Sequence, residues 1–201
     1  MGYNVPFFSI DDIKPRQLQQ PEASADKQLC TAYLNSHEFK VSGLRDLCHR
    51  LPDPGQMILL WTLKQFNAFT FIPYIIQNAG TIHELAISTY SISTKVIDAI
   101  MLMVDRGQIG HVHISISDSV KFRIPRVVDH LNSLVTARPD KISLLYGWNH
   151  SKITLMKTDK GFYIVEGSGN FTENAQHEQY IFMNSEQIYN FRKECMDGIH
   201  N

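Results

Sequence analysis

Residues 150–170 read HSKITLMKTDKGFYIVEGSGN. Two apolar runs joined by a polar turn predict a β-hairpin. Residues two apart on a strand share one face, so His150 and Lys152, placed on the first strand, are expected to point the same way. The loop after the second strand carries Ser168 and Asn170 among glycines, where a ligand can approach the backbone closely. An imidazole, a fixed cation and short hydrogen-bonding groups are a set suited to a phosphodiester.

Outward from this hairpin, short apolar runs alternate with segments of helical periodicity that begin or end at Ser, Gly or Pro. We predict strands at 57–62, 85–90, 111–116, 142–146 and 179–183, and helices at 66–78, 93–107, 124–136 and 187–196. The first of these strands is expected to be buried, and Pro73 is expected to kink the first helix. The alternation predicts an α/β domain with a mixed, largely parallel central sheet flanked by helices.

Residues 1–54 differ from the remainder of the chain. They contain scattered prolines, a polar glutamine-rich stretch and one segment of mixed helical character that ends at a Pro- and Gly-rich breaker. We predict an N-terminal irregular and helical appendage over 1–54 and a catalytic domain over 55–201. The appendage carries no motif, and partner binding and bracing of a dimer are both open as its role.

Composition limits the classes of protein to consider. With 43% hydrophobic and 19% charged residues, the chain is typical of a soluble globular protein. No apolar run reaches the ~20 residues that span a bilayer, and no basic segment followed by an apolar one suggests a signal peptide. Cys30, Cys48 and Cys195 are odd in number and widely spaced, which indicates reduced thiols in a cytoplasmic protein.

Charge is unevenly distributed although the net charge is only −1. Residues 121–160 carry eight basic side chains against three acidic ones, so a basic excess surrounds the hairpin. Such an excess favours an anionic substrate, because local positive potential concentrates it. An ordinary solvated surface is the alternative interpretation.

Several further residues near the predicted sheet edge are candidates for the site. Glu166 and Glu178 can each orient an imidazole, and Glu178, at the start of the next strand, is the stronger candidate. Thr89 and Ser91 end a strand where α/β sheets bind ligands, with turn formation and helix capping as the alternative. Trp148 is either a core aromatic or a wall for a base or sugar.

A metal site is not expected. His111 and His113 share a strand face, but the sequence suggests no third ligand beside them. The cysteines likewise show no metal-ligand spacing.

The motif residues resemble a known family. His150-Ser-Lys152 followed by Gly167-Ser-Gly-Asn170 is similar to the HxK…GSxN pattern of the phospholipase D superfamily, over roughly residues 56–197. The small, single-motif, nuclease-like branch is the most similar. The resemblance implies a phospholipase D-like fold and a phosphohistidine formed on His150, with no metal or other cofactor. It implies that Lys152, Ser168 and Asn170 bind the phosphoryl oxygens. Gly167 and Gly169, which let a ligand approach the backbone, are expected to be substrate-binding positions.

Two further implications concern the acidic residues and the assembly. Glu178 matches the carboxylate that hydrogen-bonds the histidine in this branch. The family usually has an Asp five residues after the Lys, where this chain has Lys157, and Asp159 lies two positions later on the turn. Because the chain holds one motif and the mechanism needs two, the resemblance implies a homodimer whose motifs meet at a twofold axis.

Three functions remain open from the sequence. The first is a metal-independent phosphodiesterase, in particular a nuclease acting on DNA or RNA. The second is a nucleic-acid-binding module of the same fold with weak or no turnover, which the missing Asp allows. The third is a phospholipase acting on lipid head groups, although no amphipathic membrane-docking helix supports it and no stable membrane association is expected.

Overall fold

The structure is a computed structural model and describes residues 33–34, 40–63, 66–172 and 177–198. In this part of the chain, seven strands form one sheet in the order β1-β7-β6-β5-β2-β3-β4. The strands are β1 (Met57–Leu63), β2 (Ile82–Thr89), β3 (Ile109–Ser117), β4 (Ile142–Gly147), β5 (Ile153–Thr158), β6 (Gly161–Gly167) and β7 (His177–Asn184).

Pairing divides the sheet into two halves. Strands β2, β3 and β4 pair in parallel, because helices connect them, whereas β2 with β5, β5 with β6, β6 with β7 and β7 with β1 are antiparallel. The predicted α/β fold with a mixed sheet flanked by helices is confirmed. The expectation of a largely parallel sheet needs correction, since chain reversals after β5 and β6 replace helical crossovers in the second half.

Helices cover the two faces unequally. They are α1 (residues 40–48), α2 (Phe71–Ala79), α3 (Thr94–Asp105), α4 (Val120–Arg123), α5 (Pro125–Ala137) and α6 (Glu186–Asp197), with a 3-10 turn at Ala68–Thr70. The apolar sides of α2, α3 and α5 build the main core on one face. On the other face, Tyr189 and Met196 of α6 pack over Leu155 and Ile164 of β5 and β6.

Local sequence explains where the helices begin. Ser93 caps α3 by accepting from the Val96 N–H, and Ser185 caps α6 in the same way. The kink expected at Pro73, in the middle of a helix, is not required by its position. Pro73 is the third residue of α2, within the first turn, where the N–H that proline lacks has no helical acceptor.

Strand β1 is not buried, contrary to the prediction. Leu60 and Thr62 face the core, whereas Leu59 and Trp61 are 72% and 66% exposed. β1 lies at the sheet edge beside β7, and α6 covers β5 and β6 instead. An apolar stripe, here called the edge patch, is therefore open to solvent; it comprises Met57, Leu59, Trp61, Leu63 and Ile181.

The described part of the predicted appendage joins the main core. Val41, Leu44 and Cys48 of α1 are buried in the same cluster as the residues of α2 and α3. Burial raises the pKa of the Cys48 thiol to about 11, which keeps it protonated. The division at residue 54 stays a prediction, and residues 1–32 and 35–39, including Cys30, lie outside the described ranges.

No helix within the described ranges is long and apolar enough to cross a membrane. The same residues bring together no group of three His, Cys, Asp or Glu side chains able to hold a metal ion. His113 instead contacts Ser143 on the neighbouring strand, with its Nδ1 2.9 Å from the hydroxyl oxygen.

Candidate active site

The motif residues gather at the end of the sheet that is formed by the carboxyl termini of β2, β3 and β4. His150 and Lys152 lie in the loop between β4 and β5, because β5 begins only at Ile153. Their predicted placement on a strand is therefore wrong. The loop turns because the Asn149 side chain accepts from the Ser151 N–H at 2.9 Å, a local bond that competes with strand pairing.

Asn149 anchors this loop to the sheet. Its buried Nδ2 donates to Ser88 Oγ at 2.8 Å and to the Ser115 carbonyl at 3.2 Å. Ser151 Oγ also hydrogen-bonds Ser88 Oγ. These contacts fix the backbone on either side of His150 to the ends of β2 and β3.

The His150 ring lies close to an aromatic ring and to a cation. The ring centroids of Tyr90 and His150 are 4.8 Å apart. Lys152 Nζ donates to the His150 carbonyl at 2.8 Å, lies 3.5 Å from His150 Nδ1 and is 5.9 Å from the Tyr90 centroid. Burial lowers the pKa of Lys152 from its ordinary value, although the negative charge of Glu178 opposes that shift.

The glycine-flanked loop after β6 joins the same edge through backbone bonds. The Gly167 N–H donates to the Lys152 carbonyl at 3.2 Å, and the Ser168 N–H donates to the Gln179 carbonyl at 3.1 Å. Ser168 Oγ donates to Glu178 Oε2 and accepts from the Gln179 N–H. The structure thus brings Lys152, Ser168 and Glu178 together, and Glu178 accepts a hydrogen bond from Ser168.

Asn170 is contacted by Thr89, the last residue of β2. Thr89 Oγ1 donates to the Ser91 carbonyl at 2.9 Å and lies 3.4 Å from Asn170 Oδ1. The Phe171 N–H donates to the Ser91 carbonyl, which ties the two loops together. Thr89 and Ser91 are buried, so in this structure they position Asn170 rather than line the open cleft.

Gly167 and Gly169 are required for close packing. A Cβ atom at Gly167 would overlap the Gln179 carbonyl oxygen, and one at Gly169 would overlap Tyr180 Oη. Only a residue without a side chain lets this loop lie against β7. Their predicted contact with substrate stays a prediction.

Gly167→Ala is expected to lower the free energy of unfolding by about 2 kcal/mol, because the added methyl forces β6 away from β7. Gly43→Ala is the matched control, since nothing lies within 4 Å of a Cβ there and alanine favours the helix. Urea unfolding followed by circular dichroism measures both. Equal stabilities for the two variants would contradict the packing explanation.

The remaining acidic candidates lie in different surroundings. Glu166 accepts two bonds from Arg192, at 2.6 and 2.8 Å, and is committed to that pair. Asp159 lies on the hairpin turn at the opposite edge of the sheet, where its Oδ1 is 2.7 Å from His83 Nε2. Lys157 is exposed on β5, so neither residue takes the place of the Asp expected from the family.

Two open cavities border the His150–Lys152 loop. The first, of about 360 Å³, is lined by Tyr90, Ser117, Ser119, Trp148, Asn149 and His150. The second, of about 370 Å³, is lined by Ser151, Lys152, Ile153, Glu166, Gly167, Gln179, Ile181 and Arg192. Trp148 is 94% exposed, so of its two predicted roles the core aromatic is excluded.

Solved structures share this architecture. The phospholipase D family member Nuc from Salmonella typhimurium matches with a TM-score of 0.54 and 17% sequence identity, over 73% of this chain and 94% of Nuc. The fold is the phospholipase D-like fold of Nuc. Polyphosphate kinase from Porphyromonas gingivalis matches with a TM-score of 0.51 and 12% identity, over 72% of this chain and 26% of that one. No family model and no curated protein matches the chain. The likeness to these solved structures, at 17% and 12% identity, concerns the fold.

Three residues of the site escaped the sequence analysis. Tyr90 contacts His150, Arg123 lies 4.2 Å from the Tyr90 ring centroid, and Asn149 anchors the motif loop. Tyr90 lies between the two predicted residues at the end of β2, which was an available signal. Arg123 is contributed by α4, whose course a single sequence does not determine.

Proposed function

We propose that the protein is a metal-independent phosphodiesterase that cleaves nucleic acid through a phosphohistidine, in an active site shared by two copies. The observation that carries the proposal is the convergence of His150, Lys152, Ser168 and Asn170 at one edge of a phospholipase D-like sheet. An imidazole nucleophile with a cation and two neutral polar groups suits phosphoryl transfer without a metal.

The reaction has two balanced steps. In the first, an imidazole nitrogen of His150 forms a bond to phosphorus while the bond from phosphorus to the leaving oxygen breaks. His150 of the partner subunit gives that oxygen its proton. In the second step the same partner imidazole takes a proton from water, whose oxygen attacks phosphorus as the phosphorus–nitrogen bond breaks.

The remaining residues hold charge and geometry. Lys152, Ser168 and Asn170 are placed to bind the non-bridging oxygens, on which negative charge grows in the transition state. Glu178 is buried behind Ser168, and its predicted bond to His150 would fix the imidazole tautomer. Lys157 and Asp159 have no part in this arrangement.

The edge patch supports the shared site. Five exposed apolar side chains on one sheet face are more than scattered surface residues, and such patches mark interfaces. Ile181 belongs both to this patch and to the lining of the second cavity, here called the Lys152 cavity. A twofold axis that buried the edge patch of each copy would therefore bring the two Lys152 cavities towards each other.

A binding module without turnover is the second candidate, favoured by the position of Asp159 at the far edge of the sheet. Incubation with plasmid, single-stranded DNA and RNA in EDTA separates the possibilities. Cleavage that persists in EDTA supports the phosphodiesterase. Binding without cleavage supports the module, and release of head groups from vesicles supports a phospholipase.

The pH dependence of oligonucleotide binding in a His150→Ala background, which lacks the proton-donating imidazole, is expected to report on Lys152. This side chain must be protonated to bind phosphoryl oxygens, and its lowered pKa makes affinity fall with rising pH before the ordinary lysine value of 10.5 is reached. In Lys152→Arg, which stays charged, the alkaline fall in affinity should move to higher pH. Superimposable alkaline limbs for the two proteins would contradict this assignment.

A further inference from the structure

Two large aromatic side chains beside the site lie almost wholly in solvent. Trp148 is 94% exposed and Phe122 is 88% exposed, although both are costly to leave in water. Their segments are neighbours, since the Asp118 N–H donates to the Gly147 carbonyl at 2.9 Å. Lys121 Nζ also lies 4.6 Å from the Tyr146 ring centroid. The two rings therefore belong to adjoining segments, and Trp148 lines the same cavity as His150.

We infer that the surface formed by Trp148, Phe122, Lys121 and Arg123 binds a single-stranded polynucleotide. Unpaired bases stack on the two rings, and the backbone phosphates lie against the two cations. The inference rests on the proposed function for the direction in which the strand continues, towards His150. It adds the substrate class and the residues that select it.

Charge on this surface complements a phosphate backbone. Between residues 118 and 126 there are three cations and one carboxylate: Lys121, Arg123 and Arg126 against Asp118. Arg123 is exposed, yet it is held in place by donating to the Tyr90 carbonyl at 3.3 Å and to Ser119 Oγ at 3.3 Å. Because Tyr90 contacts His150, a phosphate bound at Arg123 lies next to the reacting one.

The shape and polarity of the first cavity favour unpaired bases. Trp148 forms an aromatic wall, whereas the serines and Asn149 that also line the cavity are polar. A base offers a flat face to the ring and polar edges to such groups. The bases of a duplex already stack on one another and cannot present those faces.

Trp148 reports on this binding directly, because the chain has two tryptophans and the other, Trp61, lies on β1. We would titrate the full-length protein in a His150→Ala background, which prevents cleavage during the measurement. The probes are oligothymidylate and oligouridylate of about 12 nucleotides, within the usual site size, a mixed-sequence duplex of that length, and phosphatidylglycerol vesicles. Trp148→Phe, Trp148→Ala and Leu47→Ala are compared, the last removing an exposed apolar side chain from α1.

Single strands should quench the fluorescence and bind at least about 10-fold more tightly than the duplex. The quenching should vanish in Trp148→Phe while affinity is retained. Affinity should fall about 10-fold in Trp148→Ala and stay unchanged in Leu47→Ala. The two oligonucleotides distinguish DNA from RNA.

Equal affinity for duplex and single strand, unchanged affinity in Trp148→Ala, or a response to vesicles alone would overturn the inference. None of these outcomes affects His150-dependent cleavage by the unmodified protein. Conversely, absence of cleavage would refute the proposed function and leave the binding result intact.

Discussion

His150→Ala is expected to reduce kcat/KM for phosphodiester cleavage by at least about 10³-fold, because in the proposed mechanism one imidazole supplies the nucleophile and the other the acid. In the proposed shared site the substitution removes both at once. The loop geometry should survive, since the contacts of Asn149 and Ser151 with Ser88 fix it independently of the imidazole. Cleavage of a labelled oligonucleotide in EDTA measures the loss.

His83→Ala is the matched control for that substitution. His83 is also exposed and lies within hydrogen-bonding distance of a carboxylate, Asp159, but at the opposite edge of the sheet. Its removal should leave kcat/KM within about twofold, as for surface substitutions away from a site. Retention of a tenth or more of the activity by His150→Ala would contradict the assignment of the nucleophile.

Leu59→Asp is expected to separate the proposed dimer and to remove activity with it. Leu59 is the most exposed residue of the edge patch, and a twofold interface contains every substitution twice. At about 2 kcal/mol for each interface hot spot, the dimer should weaken by about 4 kcal/mol, or roughly 10³-fold in dissociation constant. Sedimentation velocity and activity measured over the same concentration range show both effects.

Leu47→Asp provides the control for this interface. Leu47 is also an exposed leucine, on α1, whose Arg45 contacts Gln77 near the end of α2. It should change neither the association state nor the rate of cleavage. A monomeric Leu59→Asp variant with undiminished activity would show that one copy suffices.

The elements of this fold were largely predictable because their signals are local. Ser93 and Ser185 indicated where helices begin, because each side chain accepts a hydrogen bond from the backbone N–H three residues later. The apolar periodicity of β2, β3 and β4 and of the helices between them likewise needs no distant partner. The motif residues could be selected because few short patterns combine imidazole, cation and glycine-flanked donors.

The predictions that were wrong concern segments whose structure depends on residues distant in the sequence. The apolar run of β1 predicted burial, and only the sheet order shows that β1 lies at an edge that α6 does not cover. The first part of the hairpin read as strand from His150, but Asn149 bonds to Ser88 and Ser115 on other strands and turns the loop. No property of these short segments alone contains that information.

Mixing wild-type and His150→Ala subunits tests the shared site most directly. Subunits are co-refolded at equal amounts so that both homodimers and the mixed dimer form statistically. If each site needs His150 from both copies, only wild-type homodimers cleave, and activity should be about one quarter of that of the same total amount of wild type. Activity of about one half would show that each copy acts alone, which would contradict the half-site on which the proposed mechanism depends.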